Sequence, residues 1–267
     1  MIIKSSVLTI LLIVANLFLG LACAQLQANY QVLFSWSGEM LRLAGQLLGT
    51  LFLVVILSAL TAALVRPFWM TIIGASFSAV ALLFAWGFGI VTLIAAVLYA
   101  GLLLFYAYEV KRGMENELAF SMRPLNGEYR TLQFALVFLL AVAIALAYRT
   151  DITRNNSLIP PAYRQLVTEN MAQGIGGQFP DAARDTVIQE FRQQADQYWA
   201  SLDRLLNPYL PYIPIFVGIL ASWILGLLFL LVSWFPTVLL AILFPVLKAA
   251  GFAKEVIEQK EVRRLTL

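Results

Sequence analysis

The chain has 267 residues, of which 61% are apolar and 12% are charged, and its formal net charge is +3. Soluble domains are about one quarter charged, so this composition excludes water as the main solvent of the chain. The apolar residues form long continuous runs, which indicates an all-α, multi-pass helical membrane protein.

Six of these runs are long enough to cross a membrane as helices. Aromatic residues near their ends, and prolines or charges beyond them, set the boundaries. Arg66 and Pro67 stop the second run, while Gly87 and Gly89 allow a tight turn inside the apolar stretch over residues 68–109. The predicted spans cover residues 5–24, 43–65, 68–86, 89–109, 132–148 and 213–233.

The first span is open to three interpretations. It fits a retained helix, a signal peptide cut after Ala22-Cys23-Ala24, or a lipoprotein site at Cys23. The lipoprotein interpretation is dropped, because Gly20 stands where a large apolar residue is needed. A retained helix and a cleaved signal remain, and both place residue 25 on the same side of the membrane.

A seventh apolar segment covers residues 235–247 and contains Pro236 and Pro245. As a helix it would reach only about 20 Å, which is short of a hydrocarbon core of about 30 Å. We therefore expect a re-entrant or interfacial element, with a short seventh span as the alternative.

The basic residues of the short loops predict the orientation. With the N-terminus in the cytoplasm, the inner side carries Lys4, Arg66, Lys111, Arg112, Arg123 and Arg130, whereas the short outer loops carry only Arg42. The segment over residues 149–212 then lies outside, where its six arginines have little influence because long loops translocate largely regardless of charge. The same rule places the basic tail, residues 251–267, inside the cell.

The outer segment has the pattern of a helical hairpin. Its first arm, residues 160–173, carries Tyr163, Leu166, Val167 and Met171 on one stripe, and Gly174 begins the break that follows. The second arm has a strong amphipathic pattern. We predict that its apolar stripe is covered by the first arm, by the bilayer surface or by another protein. The stripe consists of Val187, Ile188, Phe191, Tyr198, Trp199, Leu202, Leu205 and Leu206.

Small residues recur four positions apart in two of the spans, which lets helices approach closely. The candidate helix-packing positions are Gly45, Gly49, Gly218, Ser222 and Gly226. The neighbours are helices of this chain or of a second copy, so a homo-oligomer is possible. The buried polar residues of the spans are neutral, and we expect them to hold helices together.

The residues that carry most enzyme chemistry are scarce. The chain has no histidine and one cysteine, which excludes histidine-based metal sites, Ser-His or Cys-His pairs and internal disulfides. Carboxylate pairs such as Glu115 with Glu117, or Asp181 with Asp185, lie in solvated loops, so we assign no catalytic residues. The sequence indicates no cofactor, no metal and no nucleic-acid partner.

The chain thus divides into a membrane region over residues 1–148, an outer hairpin over 149–212, a second membrane region over 213–250 and a charged tail. We expect it in the plasma membrane, surrounded by lipid, as a non-enzymatic scaffold, subunit or sensor that meets a membrane or envelope protein through its hairpin. The alternatives are a channel or transporter for an uncharged or lipid-like substrate, and an interfacial lipid-modifying enzyme that uses Glu109 and Glu128.

Overall fold

The computed structural model describes residues 2–34, 37–116, 123–155, 161–176, 180–232 and 234–252. Within these ranges the regular structure is helical throughout, which confirms the all-α prediction. The helices are α1 (Ile2–Asn29), α2 (Gly38–Leu64), α3 (Phe68–Trp86), α4 (Ile90–Asn116), α5 (Arg123–Gly127), α6 (Tyr129–Asn155), α7 (Pro161–Gly176), α8 (Asp181–Leu206), α9 (Ile213–Val232) and α10 (Trp234–Ala249). Short 3₁₀ turns follow α1 and α8.

Six of the described helices are long and apolar enough to cross a membrane, namely α1, α2, α3, α4, α6 and α9. Their apolar side chains also cover the outside of the bundle, as shown by Phe84 and Ile94, which are 75% and 54% exposed. Such a surface is stable only against hydrocarbon. The chain is a multi-pass integral membrane protein.

Helix α1 packs most extensively on α3 and also contacts α2 and α6, while its other face, with Ile10, Val14 and Phe18, is exposed. Its side chains at Leu12, Asn16, Leu19 and Cys23 recur every three or four residues and are fully buried. Removal of residues 1–24 would therefore uncover the faces of α2, α3 and α6 that contact this helix. We keep the retained helix as our prediction.

The two ends of the bundle can be told apart by the contacts between helix termini. At one end, called the N-terminal end here, Ser5 Oγ donates to the Arg66 carbonyl at 3.2 Å and the Lys111 ammonium lies 5.2 Å from the Phe68 ring centre. At the other, called the hairpin end, Trp86 Nε1 donates to Gln27 Oε1 at 2.9 Å. The α7–α8 hairpin leaves the bundle at this second end.

The turn between α3 and α4 lies at the position that the glycines indicated. Gly87 has a φ of 110°, a conformation that side chains with a Cβ rarely adopt. The Thr92 hydroxyl lies within hydrogen-bond distance of the Gly87 and Gly89 carbonyls, at 2.9 and 3.0 Å. The Thr92 hydroxyl thus offers a donor to the Gly87 carbonyl, whereas the Gly89 carbonyl also accepts from the Leu93 N–H at 2.9 Å.

Helix α9 ends at Val232 and α10 begins at Trp234. The last turn of α10 lies at the N-terminal end of the bundle. In its first turn, the Phe235 ring lies 5.0 Å from the ring of Phe52, near the middle of α2. Just beyond the last turn of α10, the Gly251 carbonyl accepts a hydrogen bond from the Lys4 ammonium, which also lies 5.3 Å from the Phe252 ring centre. The chain therefore returns to the side where α1 starts, and the tail over residues 253–267 lies outside the described residues.

One face of α10 packs on the bundle through Pro236, Leu240 and Phe244, which are buried. Its opposite face is apolar and exposed, as at Ile242 and Val246. A helix with one protein-covered face and one apolar open face suits a membrane interior or interface. The re-entrant or interfacial element over residues 235–247, with a short seventh span as the alternative, stays a prediction.

Candidate functional site

The hairpin outside the bundle is held together by polar contacts between α7 and α8. The Arg164 guanidinium reaches both carboxylate oxygens of Asp203, at 2.7 and 2.8 Å, and lies 5.9 Å from the Trp199 ring centre. Trp199 Nε1 also donates to Thr168 Oγ1 at 3.2 Å. These contacts fix the register of two antiparallel helices.

A second ion pair joins the exposed edge of the hairpin. Arg192 donates to a carboxylate oxygen of Glu169 at 2.7 Å. This hydrogen bond holds the pKa of Glu169 below its ordinary value, with a further contribution from Gln173. The pair is present above the ordinary pKa of a glutamate and is lost as the pH falls through the lowered value. Because both groups are exposed, the pair contributes little to stability.

The predicted stripe of α8 divides into two sets in the structure. One set is half-buried beside α7 and consists of Val187, Ile188, Phe191, Trp199, Leu202 and Leu206. The other set is exposed, with Tyr198 at 61% and Leu205 at 71%. Of this stripe, Tyr198 and Leu205 are therefore the side chains most accessible to a partner.

The face of α7 that packs on α8 is not its apolar stripe. Its side chains at Arg164, Thr168 and Ala172 are at least half-buried, whereas Leu166, Val167 and Met171 are exposed by 53%, 38% and 56%. The hydrophobic spacing identified an amphipathic helix, but the Arg164–Asp203 pair and the Trp199–Thr168 hydrogen bond decide which side meets α8.

The exposed apolar residues of the two arms fall on one flank of the hairpin. At 100° per residue, Val167 and Met171 lie on the side of α7 away from Glu169. On α8, Tyr198 and Leu205 likewise lie on the side away from Arg192. We call the flank formed by Val167, Met171, Tyr198 and Leu205 the apolar flank.

The five predicted helix-packing positions have different surroundings. A Cβ at Gly218 would lie 3.2 Å from the Ala145 Cβ, so this glycine sits where α9 crosses α6 closely. By contrast, a Cβ at Gly45, Gly49 or Gly226 would meet nothing within 4 Å in the described part of the chain. Ser222 donates to the Ile219 carbonyl of its own helix at 2.7 Å. A contact between copies at Gly45 and Gly49 stays a prediction.

Among the glycines whose surroundings the structure describes, the tightest contact is at Gly20, which we did not predict. A Cβ there would lie 2.5 Å from the Leu82 carbonyl oxygen and 2.8 Å from the Ala85 Cβ. The glycine therefore lets the backbones of α1 and α3 touch. Gly20 and Ala24 have the four-residue spacing of small residues, which could have indicated this site.

A cavity of about 780 Å³ lies between α6 and α9 at the hairpin end of the bundle. Its walls are mostly apolar and include Phe138, Ala145 and Ile219, together with the connector residues Leu210 and Pro211. The polar side chains of the lining are those of Arg149, Thr153 and Ser222. We call this cavity the lateral groove.

Arg149 is exposed at the end of the lateral groove that lies toward the hairpin. Among the described residues, no carboxylate lies within 4.0 Å of its guanidinium group. Asp151 is two residues further along α6 and accepts hydrogen bonds from Tyr30 and Gln31, each at 2.7 Å. The nearest acidic group in sequence is therefore engaged by the 3₁₀ turn after α1.

The membrane interior holds neutral polar groups. The Tyr99 hydroxyl donates to Asn16 Oδ1 at 2.6 Å, which joins α4 to α1 through fully buried side chains. This contact agrees with the expected role of such residues in helix adhesion. Three further buried hydroxyls, on Ser58, Thr61 and Ser78, have no hydrogen-bond partner within the described ranges.

The buried Tyr99–Asn16 contact leads to a stability prediction. We expect Tyr99→Phe to lower the free energy of unfolding by about 0.6–1.7 kcal/mol, because Asn16 Oδ1 loses its donor inside the membrane. Unfolding in mixed detergent and dodecyl sulfate measures this change. Tyr108→Phe is the control, because Tyr108 is 51% exposed and should change stability by less than about 0.5 kcal/mol. Equal stability of the two variants would contradict the prediction.

Two carboxylates of α4 form ion pairs with basic residues of the same helix. Glu109 pairs with Arg112 at 3.9 Å, and Glu115 pairs with Lys111 at 3.8 Å. No group of three or more His, Cys, Asp or Glu side chains able to hold a metal ion is found among the described residues. The Glu117 position lies outside them, as does the side chain of Asp181.

Comparisons with other proteins found no relative of this chain. No protein-family model, characterised protein or solved structure matches this chain. The apolar flank and the lateral groove are the two features of the described chain that bear on its function.

Proposed function

We propose that the protein is a non-enzymatic membrane scaffold or subunit that binds a protein partner through the apolar flank of its hairpin. The observation that carries this proposal is the exposure of Val167, Met171, Tyr198 and Leu205 on one side of a pair of helices locked by ion pairs. Exposed apolar side chains grouped on one surface are typical of contact sites.

The charge of the hairpin supports a protein rather than a lipid surface as the partner. Residues 161–206 contain six acidic and four basic residues, so the hairpin is net negative. Anionic headgroups attract basic segments and repel acidic ones. Tyr198 is also of the residue type that dominates protein interfaces, because it has a large rigid ring with a polar end.

The proposed setting is the plasma membrane, with the N-terminal end of the bundle in the cytoplasm and the hairpin outside. The N-terminal end carries Lys4, Arg66, Lys111 and Lys248 near the termini of its helices. This distribution supports the orientation through the preference of basic residues for the cytoplasmic side. The partner is then a membrane or envelope protein accessible from outside.

Site-specific photo-crosslinking in intact cells tests the proposed partner. A photoreactive amino acid at Tyr198 is expected to capture one protein in stoichiometric amount, because this side chain lies on the apolar flank. The same amino acid at Gln193, which is exposed on the far side of α8, is the matched control and should capture none.

The double variant Tyr198→Ser with Leu205→Ser should weaken co-purification of that protein by about tenfold or more, since interface aromatic residues often contribute more than about 1–2 kcal/mol. Capture of a second copy of this chain, capture of lipid alone, or equal capture at Tyr198 and Gln193 would each overturn the proposal.

A further inference from the structure

We propose that the lateral groove binds an anionic phospholipid of the surrounding bilayer, with an acyl chain along the groove and the phosphate at Arg149. The inference does not depend on the hairpin's protein partner. It rests on the length and volume of the lateral groove, the composition of its walls and the charge at one end.

The dimensions of the lateral groove suit one acyl chain. Its lining runs along α6 from Phe138 to Thr153, which is about 22 Å at the helical rise per residue. That length exceeds half of a hydrocarbon core of about 30 Å, so the groove extends through one leaflet. Its volume of about 780 Å³ lies within the range of about 300–1,000 Å³ found for pockets that bind small molecules.

The lateral groove has its charged end at headgroup level. Arg149 directly follows Tyr148 on α6, and the connector that enters α9 carries Tyr209 and Tyr212. Tyrosines favour the boundary between hydrocarbon and headgroups. The opposite end is formed by Phe138 and Ser222 within the spans, so a phosphate at Arg149 would place its acyl chain against the apolar walls.

The electrostatics of the lateral groove favour an anion. Its two hydroxyl groups are engaged within their own helices, with Thr153 donating to the Arg149 carbonyl at 2.9 Å and Ser222 donating to the Ile219 carbonyl. Helix α9 begins at Ile213 beside the groove, so the positive end of its dipole adds to the charge of Arg149. Asp151 lies on the opposite side of α6, about 200° around the helix.

A lipid-retention measurement on the full chain tests the inference. The protein is reconstituted with equal amounts of phosphatidylglycerol and phosphatidylcholine, purified in a mild detergent and analysed by native mass spectrometry. We expect the wild type to retain about one phosphatidylglycerol. Arg149→Gln should lower this retention about fivefold, the equivalent of about 1 kcal/mol for one charge at the headgroup level.

Two further variants separate the lateral groove from general surface attraction. Arg154→Gln removes an exposed arginine that is absent from the groove lining, and it should retain phosphatidylglycerol as the wild type does. Ser222→Phe fills the apolar end and should lower retention although Arg149 is present. Equal retention of both lipids by the wild type, equal losses from Arg149→Gln and Arg154→Gln, or unchanged retention by a monodisperse Ser222→Phe protein would each overturn the inference.

Discussion

Gly20→Leu is expected to prevent stable folding of the membrane bundle. The first added carbon would lie 2.5 Å from the Leu82 carbonyl oxygen and 2.8 Å from the Ala85 Cβ, so α1 and α3 would have to separate. Overpacking in a tight core usually costs about 1–3 kcal/mol. We expect at least about 3 kcal/mol here, because the obstacle is a backbone atom of the helix with which α1 has its largest contact.

Gly101→Leu in α4 is the matched control for this substitution, because Gly101 is exposed and belongs to none of the predicted packing positions. It also adds a leucine side chain to a glycine inside a membrane helix, but a Cβ there meets nothing within 4 Å in the described part of the chain. Its expected effect on stability is below about 0.5 kcal/mol. The yield of monodisperse protein in detergent and the unfolding midpoint in dodecyl sulfate measure both variants. A Gly20→Leu protein as stable as Gly101→Leu would show that α1 and α3 are not packed in this way.

The second large effect concerns accessibility from outside the cell. In a background with Cys23→Ser, a cysteine at Gln193 is expected to react with a membrane-impermeant maleimide on intact cells, because α8 lies in the hairpin that we predict to face outward. Cysteine labelling depends on access, and Gln193 is exposed. Mass-tagged gel shifts quantify the labelled fraction.

A cysteine at Gly127 provides the control for sidedness. Gly127 is exposed at the N-terminal end of the bundle, and a Cβ there meets no atom of the described residues within 4 Å. It should react only after the membrane is permeabilised. The reverse result, with labelling of Gly127→Cys on intact cells and of Gln193→Cys only after lysis, would invert the proposed orientation and place the hairpin in the cytoplasm.

The parts of the fold that follow from lipid as a solvent were predictable from the sequence. Composition and run length indicate the apolar helices, and Gly87 marks the turn between α3 and α4 because few other residues adopt its φ of 110°. These features depend on local properties of the chain. A helix must satisfy its backbone groups internally in hydrocarbon whatever its neighbours are.

The arrangement of the helices depends on contacts between distant residues, which spacing alone does not specify. The same small-residue spacing occurs at Gly20 with Ala24 and at Gly45 with Gly49, but only Gly20 lies against another backbone within the described chain. The face of α7 that meets α8 is likewise set by Arg164 and its partner Asp203, which are 39 residues apart. The lateral groove has no local signal either, because its walls come from α4, α6, α9 and the connector.

The contacts that α1 makes with three later helices bear on the order in which the bundle is assembled during synthesis. This helix leaves the ribosome before α2, α3 and α6, and each of them contacts it in the finished protein. Each of these three helices thus finds a helix to dock on already in the membrane, whereas Asn16 meets its partner Tyr99 only after α4 is inserted. We infer that α1 acts as the assembly template, so defects in α1 should appear as degradation of nascent chains.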